Sequence, residues 1–199
     1  PRDVEVDPDG NVYVADTGNK RVVVFAPDGT WLRDIGSGGS APGQLDEPSG
    51  LAVHPDGRLF VADTWNRRIS VFNTDGTFVT TYNVRAWYEE LGNRPYLAID
   101  TARDYLYVTD PDAGRILVYT TGGECVGAFG RLNRESPNSS QFATIGGIDV
   151  DADGNVYVVD VATQRVMKFP PFPATVSDDG SSENAETTID AETTAEIGE

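Results

Sequence analysis

Four aspartates, Asp16, Asp63, Asp110 and Asp160, each close a short hydrophobic run, and they stand 47, 47 and 50 residues apart. That spacing constrains the fold more than any other feature, because self-similarity at a fixed period is the signature of a repeat architecture. Three residues before each Asp is an aromatic: Tyr13, Phe60, Tyr107 or Tyr157. Two before it is Val14, Val61, Val108 or Val158. Five after it is an arginine (Arg21, Arg68, Arg115, Arg165), and nine after it another aromatic (Phe25, Phe72, Tyr119, Phe169). Five columns in register over four copies exclude coincidence.

Each copy carries several short strand signals. In the first they are "DVEVD", "NVYVAD", "RVVVFA" and "TWLRDIG", rich in Val, Tyr and Phe and separated by turn residues. Asp9-Gly10 joins the first pair and Asp28-Gly29 the second, with Asp56-Gly57 and Asp75-Gly76 as their counterparts. Asp-Gly between alternating runs signals a hairpin, because Gly tolerates the positive φ that such turns require. Four antiparallel strands repeating at this interval make a blade of a β-propeller. One such sheet cannot bury both faces, so blades must stack. The expected class is all-β, with four four-stranded blades at about 1–36, 48–83, 95–130 and 146–172 inside a propeller segment 1–174. The last repeat shows no fourth strand after "VMKFPPFP".

The stretch "DVDADGNVYVVD" at 149–160 imitates a calcium loop, with Asp149, Asp151 and Asp153 at alternate positions and Gly154 at the sixth. The same frame recurs at 5–16 and 52–63, but the first and third ligand positions do not persist: the copy at 52–63 has Ala52 and His54 there, and what persists is Asp-Gly. The flanks are strand-like, whereas an EF-hand needs helices. The string therefore reads as a hairpin, with no metal and no cofactor required.

Residues "PSGLAVHPDGRLFVADTWNRRISVF" (48–72), the matching 1–25 and the link "GSGGSAPGQLDEPSG" (36–50) resemble the NHL-repeat family. The resemblance covers roughly residues 1–170 and implies a propeller of usually six blades, of which four repeats would be about two thirds. The chain then reads as the later part of a longer protein, and the rest of that protein is one of its expected partners. At the level of function the resemblance is weak, because one fold hosts many tasks.

Residues 175–199 hold eight acidic residues and no basic one, which predicts a solvated tail. Without them 24 acidic residues face 15 basic ones, a net charge of −9. Nucleic-acid binding leans on a basic face, so no nucleic-acid partner is expected. No apolar run is long enough to span a membrane. Cys125 is alone, which excludes a disulfide framework, and its column, shared with Trp31 and Phe78, predicts a small buried hydrophobe.

His54 is the one histidine. A metal-dependent propeller enzyme needs several converging ligands, so His54 reads as a turn-flanking residue. The pairs Asp16–Arg21, Asp63–Arg68, Asp110–Arg115 and Asp160–Arg165 bracket a hairpin loop in every copy, which assigns them to the scaffold. Departures from the repeat are more informative. Trp65 stands where the first copy has Gly18; the link 83–96 carries Trp87 and Tyr88; and the link 130–147 is long and polar. Trp, Tyr and Arg are the usual anchors of interfaces. Trp65, Arg67, Trp87 and Tyr88, with Asn19 and Lys20 of the equivalent first loop, form the candidate binding face. The leading reading is a non-catalytic binding or assembly module for a protein, with a glycan as the lesser option. The rivals are part of a lactonase- or lyase-type propeller enzyme whose metal ligands lie upstream, and the sensor or scaffold ectodomain of a membrane protein.

Overall fold

A computed structural model describes residues 1–87, 94–135, 140–173 and 193–196. The chain forms two compact units, Pro1–Leu97 and Ala98–Glu199. Each holds two four-stranded antiparallel sheets, the blades expected from the repeats.

In the first unit, β1 (Val4–Val6), β2 (Val12–Asp16), β3 (Arg21–Phe25) and β4 (Trp31–Ile35) form one meander. The next comprises β5 (Pro48–Val53), β6 (Arg58–Asp63), β7 (Arg68–Asn73) and β8 (Phe78–Asn83). In the second unit the third blade runs β9 (Leu97–Asp100), which begins at the unit boundary, then β10 (Tyr105–Asp110), β11 (Arg115–Thr120) and β12 (Cys125–Phe129). The link after it contributes a short parallel pair, β13 (Arg131–Leu132) and β14 (Gln141–Phe142). The fourth blade comprises β15 (Ile145–Val150), β16 (Val156–Asp160), β17 (Arg165–Phe169) and β18 (Thr193–Glu196).

Side chains alternate between the two faces of each strand, and the cores follow from that alternation. Tyr13, Ala15, Val22, Val24 and Ile35 line one face of the first blade and bury against Leu51, Leu59, Val61 and Phe72 of the second. In the second unit Tyr107, Ile116, Val118 and Phe129 pack against Val156, Val158, Met167 and Phe169. The links also feed these cores. Leu45 and Phe142 are fully buried, so the link 130–147, expected to be polar, inserts an aromatic ring beneath the fourth blade.

The calcium-like strings are turns. Gly10 and Gly154 take φ of +83° and +87°. The Gly154 amide donates to the carbonyl of Asp151 at 2.9 Å. The Asp151 carboxylate accepts from the amides of Asp153 and Asn155, the Asn155 side chain and the Tyr157 hydroxyl. Asp7 repeats this arrangement with Asp9, Asn11 and Tyr13. These local donors hold the Asp151 carboxyl down to about 2, the Asn155 side chain foremost.

Two expectations are corrected. The fourth blade has a fourth strand: β18 pairs antiparallel with β17, Lys168 opposite Thr193 and Arg165 opposite Glu196. A bare β17 edge would present a row of unpaired backbone groups, and "TTAE" within the presumed tail supplies a strand to meet it. The remainder of 175–199 lies outside the described residues. Cys125 is exposed, because it opens the outermost strand of its blade, where Trp31, in the same column, is also exposed.

Candidate interaction surface

In each blade the Asp at the end of the second strand sits directly opposite the Arg that begins the third. The Arg donates to the carboxylate at 3.0 Å in Asp16–Arg21, 2.7 Å in Asp63–Arg68, 2.9 Å in Asp110–Arg115 and 3.4 Å in Asp160–Arg165. Asp63 also receives the backbone amide of Asp46, the Asn66 side chain and the Ser70 hydroxyl. Arg68 donates its other arms to the carbonyls of Ser40, Ala41 and Gln44. The pair thus holds the link before its blade as well as its own hairpin. Asp160 and Arg165 do the same, taking the amides of Ala143 and Thr144 and the carbonyl of Gln141. Burial pushes the Asp63 carboxyl up, whereas Asp16, nearer solvent, is held down by the Asn19 side chain and then by Arg21.

The loops between these pairs form one end of the first unit. Lys20 and Arg67 occupy equivalent positions with positive φ, and each closes a turn onto the carbonyl of Thr17 or Thr64 at 3.0 Å. Both loops meet the link through Asp46. The Lys20 ammonium pairs with its carboxylate at 2.8 Å, and the Trp65 amide donates to its carbonyl at 3.1 Å. The Thr64 hydroxyl is buried against Ser49, and the Asn66 side chain donates to the Gly39 carbonyl and to Asp63. From this braced loop Trp65 projects with 58% of its surface exposed, and Arg67 is exposed beside it.

The structure therefore brings Asn19, Lys20, Trp65 and Arg67 to one end, and it separates Trp87 from them in kind. Trp87 is 1% exposed. Its turn is fastened by Trp87 N–H to the Val84 carbonyl and by Val84 N–H to the Arg67 carbonyl. Its indole is buried, unlike that of Trp65. Tyr88 lies outside the described residues. Asp46 and Asn66, which brace the loop, went unseen in the sequence, because links do not align with the repeat columns. His54 flanks its turn as expected: its Nδ1 lies 2.8 Å from Asp56.

The NHL repeat family matches residues 1–25 and 45–72. A comparison with curated proteins returns no significant match. Among solved structures, virginiamycin B lyase from Staphylococcus aureus is similar with a TM-score of 0.61 at 16% identity, over 84% of this chain and 51% of that one. A chain in a nidogen/laminin complex is similar at 0.58 and 21%, over 80% and 55%. The RRP9 WD40 repeats are similar at 0.61 and 13%, over 83% and 46%. The chain thus spans about half the length of the structures it matches, and at these identities the likeness is one of β-propeller fold.

Proposed function

Because the chain carries NHL repeats on β-propeller blades, we propose that it is a non-catalytic binding module whose protein contact centres on Trp65, with Arg67, Lys20 and Asn19 around it. The observation that carries this reading is an indole exposed at the tip of a loop whose backbone is tied on both sides. A rigid aromatic supplies large contact area at small entropy cost, and such residues dominate interface energetics. The lyase neighbour does not favour catalysis here, since that likeness extends to fold alone. Among the described residues no cluster of three His, Cys, Asp or Glu side chains is placed to share a metal ion.

The test is Trp65→Ala in quantitative capture of the partner, beside a thermal melt of the same variant. Affinity should fall by about 30-fold, the equivalent of a 2 kcal/mol hot spot, with an unchanged melting temperature. Undiminished capture by a Trp65→Ala, Arg67→Ala double variant would end this reading.

A further inference from the structure

The outer strand of the fourth blade differs from the other three in its attachment and in its composition. β4, β8 and β12 each follow their third strand through a short turn, at 26–30, 74–77 and 121–124. Each turn is closed by a backbone bond, from Ala26 N–H to the Thr30 carbonyl, Asn73 N–H to the Thr77 carbonyl and Thr120 N–H to the Glu124 carbonyl. Each of these strands also brings a large apolar residue inward. Ile35 of β4 and Phe129 of β12 are buried, and Phe78 of β8 packs against the core of the first unit. β18 is joined to β17 across residues 170–192, and its sequence, Thr-Thr-Ala-Glu, includes no large apolar residue. Its place is given by the backbone ladder, in which Lys168, Met167, Val166 and Arg165 stand opposite Thr193, Thr194, Ala195 and Glu196.

The sequence holds this strand twice. Residues 191–196 read "AETTAE", and residues 185–190, directly before them, read "AETTID". The upstream copy lies outside the described residues. The offset between the copies is even, so moving the ladder from one to the other keeps every position on the face it had. In the upstream register Lys168 and Met167 again meet Thr-Thr, and Arg165 again meets a carboxylate, that of Asp190. The one change of character is Ile189 for Ala195. Val159, Val166 and Ala195 stand in one row across β16, β17 and β18, and Ile continues a row of β-branched residues better than Ala does. The upstream register also closes the shorter loop, 170–186 in place of 170–192, at a smaller cost in chain entropy.

We propose that the β17 edge is a docking site for an extended Thr-Thr-apolar-acid segment, and that the two tandem copies, 187–190 and 193–196, exchange on it. The fourth blade then closes in two registers, and each exchange passes six residues from one side of the blade to the other without altering the blade itself. The ladder is common to both registers, and the sequence of β18 carries nothing that the upstream copy lacks. This edge lies in the second unit and does not depend on the function proposed for the Trp65 loop.

The test traps each register by a disulfide in a Cys125→Ser background. Val166→Cys is combined with Ala195→Cys in one variant and with Ile189→Cys in another, and both are equilibrated in a glutathione buffer. Both pairs should form. Val166→Cys with Thr194→Cys, or with Thr188→Cys, places the second thiol on the other face of the strand and should form at least about 10-fold less disulfide, because its Cβ points away. Truncation gives a readout that needs no thiol. A chain ending at Asp190 should melt with the full chain, whereas a chain ending at Asn184 should melt about 5 °C lower. Trapping at Ala195 alone would overturn the proposal in favour of one fixed register. Equal trapping at all four positions would overturn it in favour of a tether without register. Equal melting temperatures for the two truncated chains, whether lowered or not, would show that the upstream copy does not take the place of β18.

Discussion

Asp63–Arg68 and Asp16–Arg21 are the same pair at the same register, yet they hold different things. Around Asp63 the carboxylate is fully buried, and the pair gathers one amide and three carbonyls of the link before it. Around Asp16 the side chains are partly exposed, and their donors and acceptors come from their own blade. The difference shows that the repeat encodes a socket, and that its energetic weight depends on whether a link fills it. An ion pair near solvent contributes little, because water competes for both charges. Breaking a buried one strands the partner and the amides that converged on it.

The largest effect expected from this contrast is on Asp63→Ala. It should destabilise the protein by about 3 kcal/mol in chemical denaturation, while Asp16→Ala should cost roughly 0.5 kcal/mol or less. Equal losses at the two sites would remove the link from the explanation. Next in size is Arg68→Lys. An ammonium cannot reproduce the fork that reaches three carbonyls and a carboxylate together, so a loss of about 1–2 kcal/mol is expected. Arg21→Lys, measured alongside it, should be nearly silent.

The smallest effect separates the two carboxylates by sign. Asp16 titrates below the ordinary aspartate value of 3.8 in the folded protein. Its contribution is present above that value and is lost as pH falls through the lower folded one. Asp63 titrates above 3.8, because burial opposes its charge. The folded state keeps that proton to higher pH than the unfolded chain does, so this contribution declines as pH rises from the unfolded value through the folded one. In melting temperature against pH, Asp16→Asn should flatten the limb below 3.8, and Asp63→Asn should steepen the rise just above it. Slopes changed in the same direction would show that one environment governs both.

The socket also explains what the sequence displayed and what it concealed. The hairpins, the blade count and the Asp–Arg pairing were legible because each rests on residues at most a few positions apart and recurs in every copy. The link contacts were not. Asp46 reaches Asp63 across 17 residues and Ala41 reaches Arg68 across 27, and the links differ in length and composition, so no column records them. Leu45 and Phe142 were hidden for the same reason. Trp65 and Trp87 both break the repeat, yet one is exposed and the other buried, since burial depends on how the link folds back and not on residue type. β18 was masked by composition: acidic neighbours suggested a solvated segment, whereas four residues sufficed to pair with the edge of β17.

The Asp-Gly turns carry a chemical consequence. An aspartate followed by glycine ages in solution when the glycine nitrogen attacks the side-chain carboxyl, closing a succinimide that reopens mostly as isoaspartate. Here the nitrogens of Gly10, Gly29, Gly57, Gly76 and Gly154 each donate their hydrogen to a carbonyl three residues back, at 2.9–3.0 Å. That bond restrains the backbone rotation that ring closure needs. Five sites that would age quickly in an unfolded peptide are thereby protected while the blades stay folded, so isoaspartate at these five positions would serve as a cumulative record of how long the hairpins have spent open.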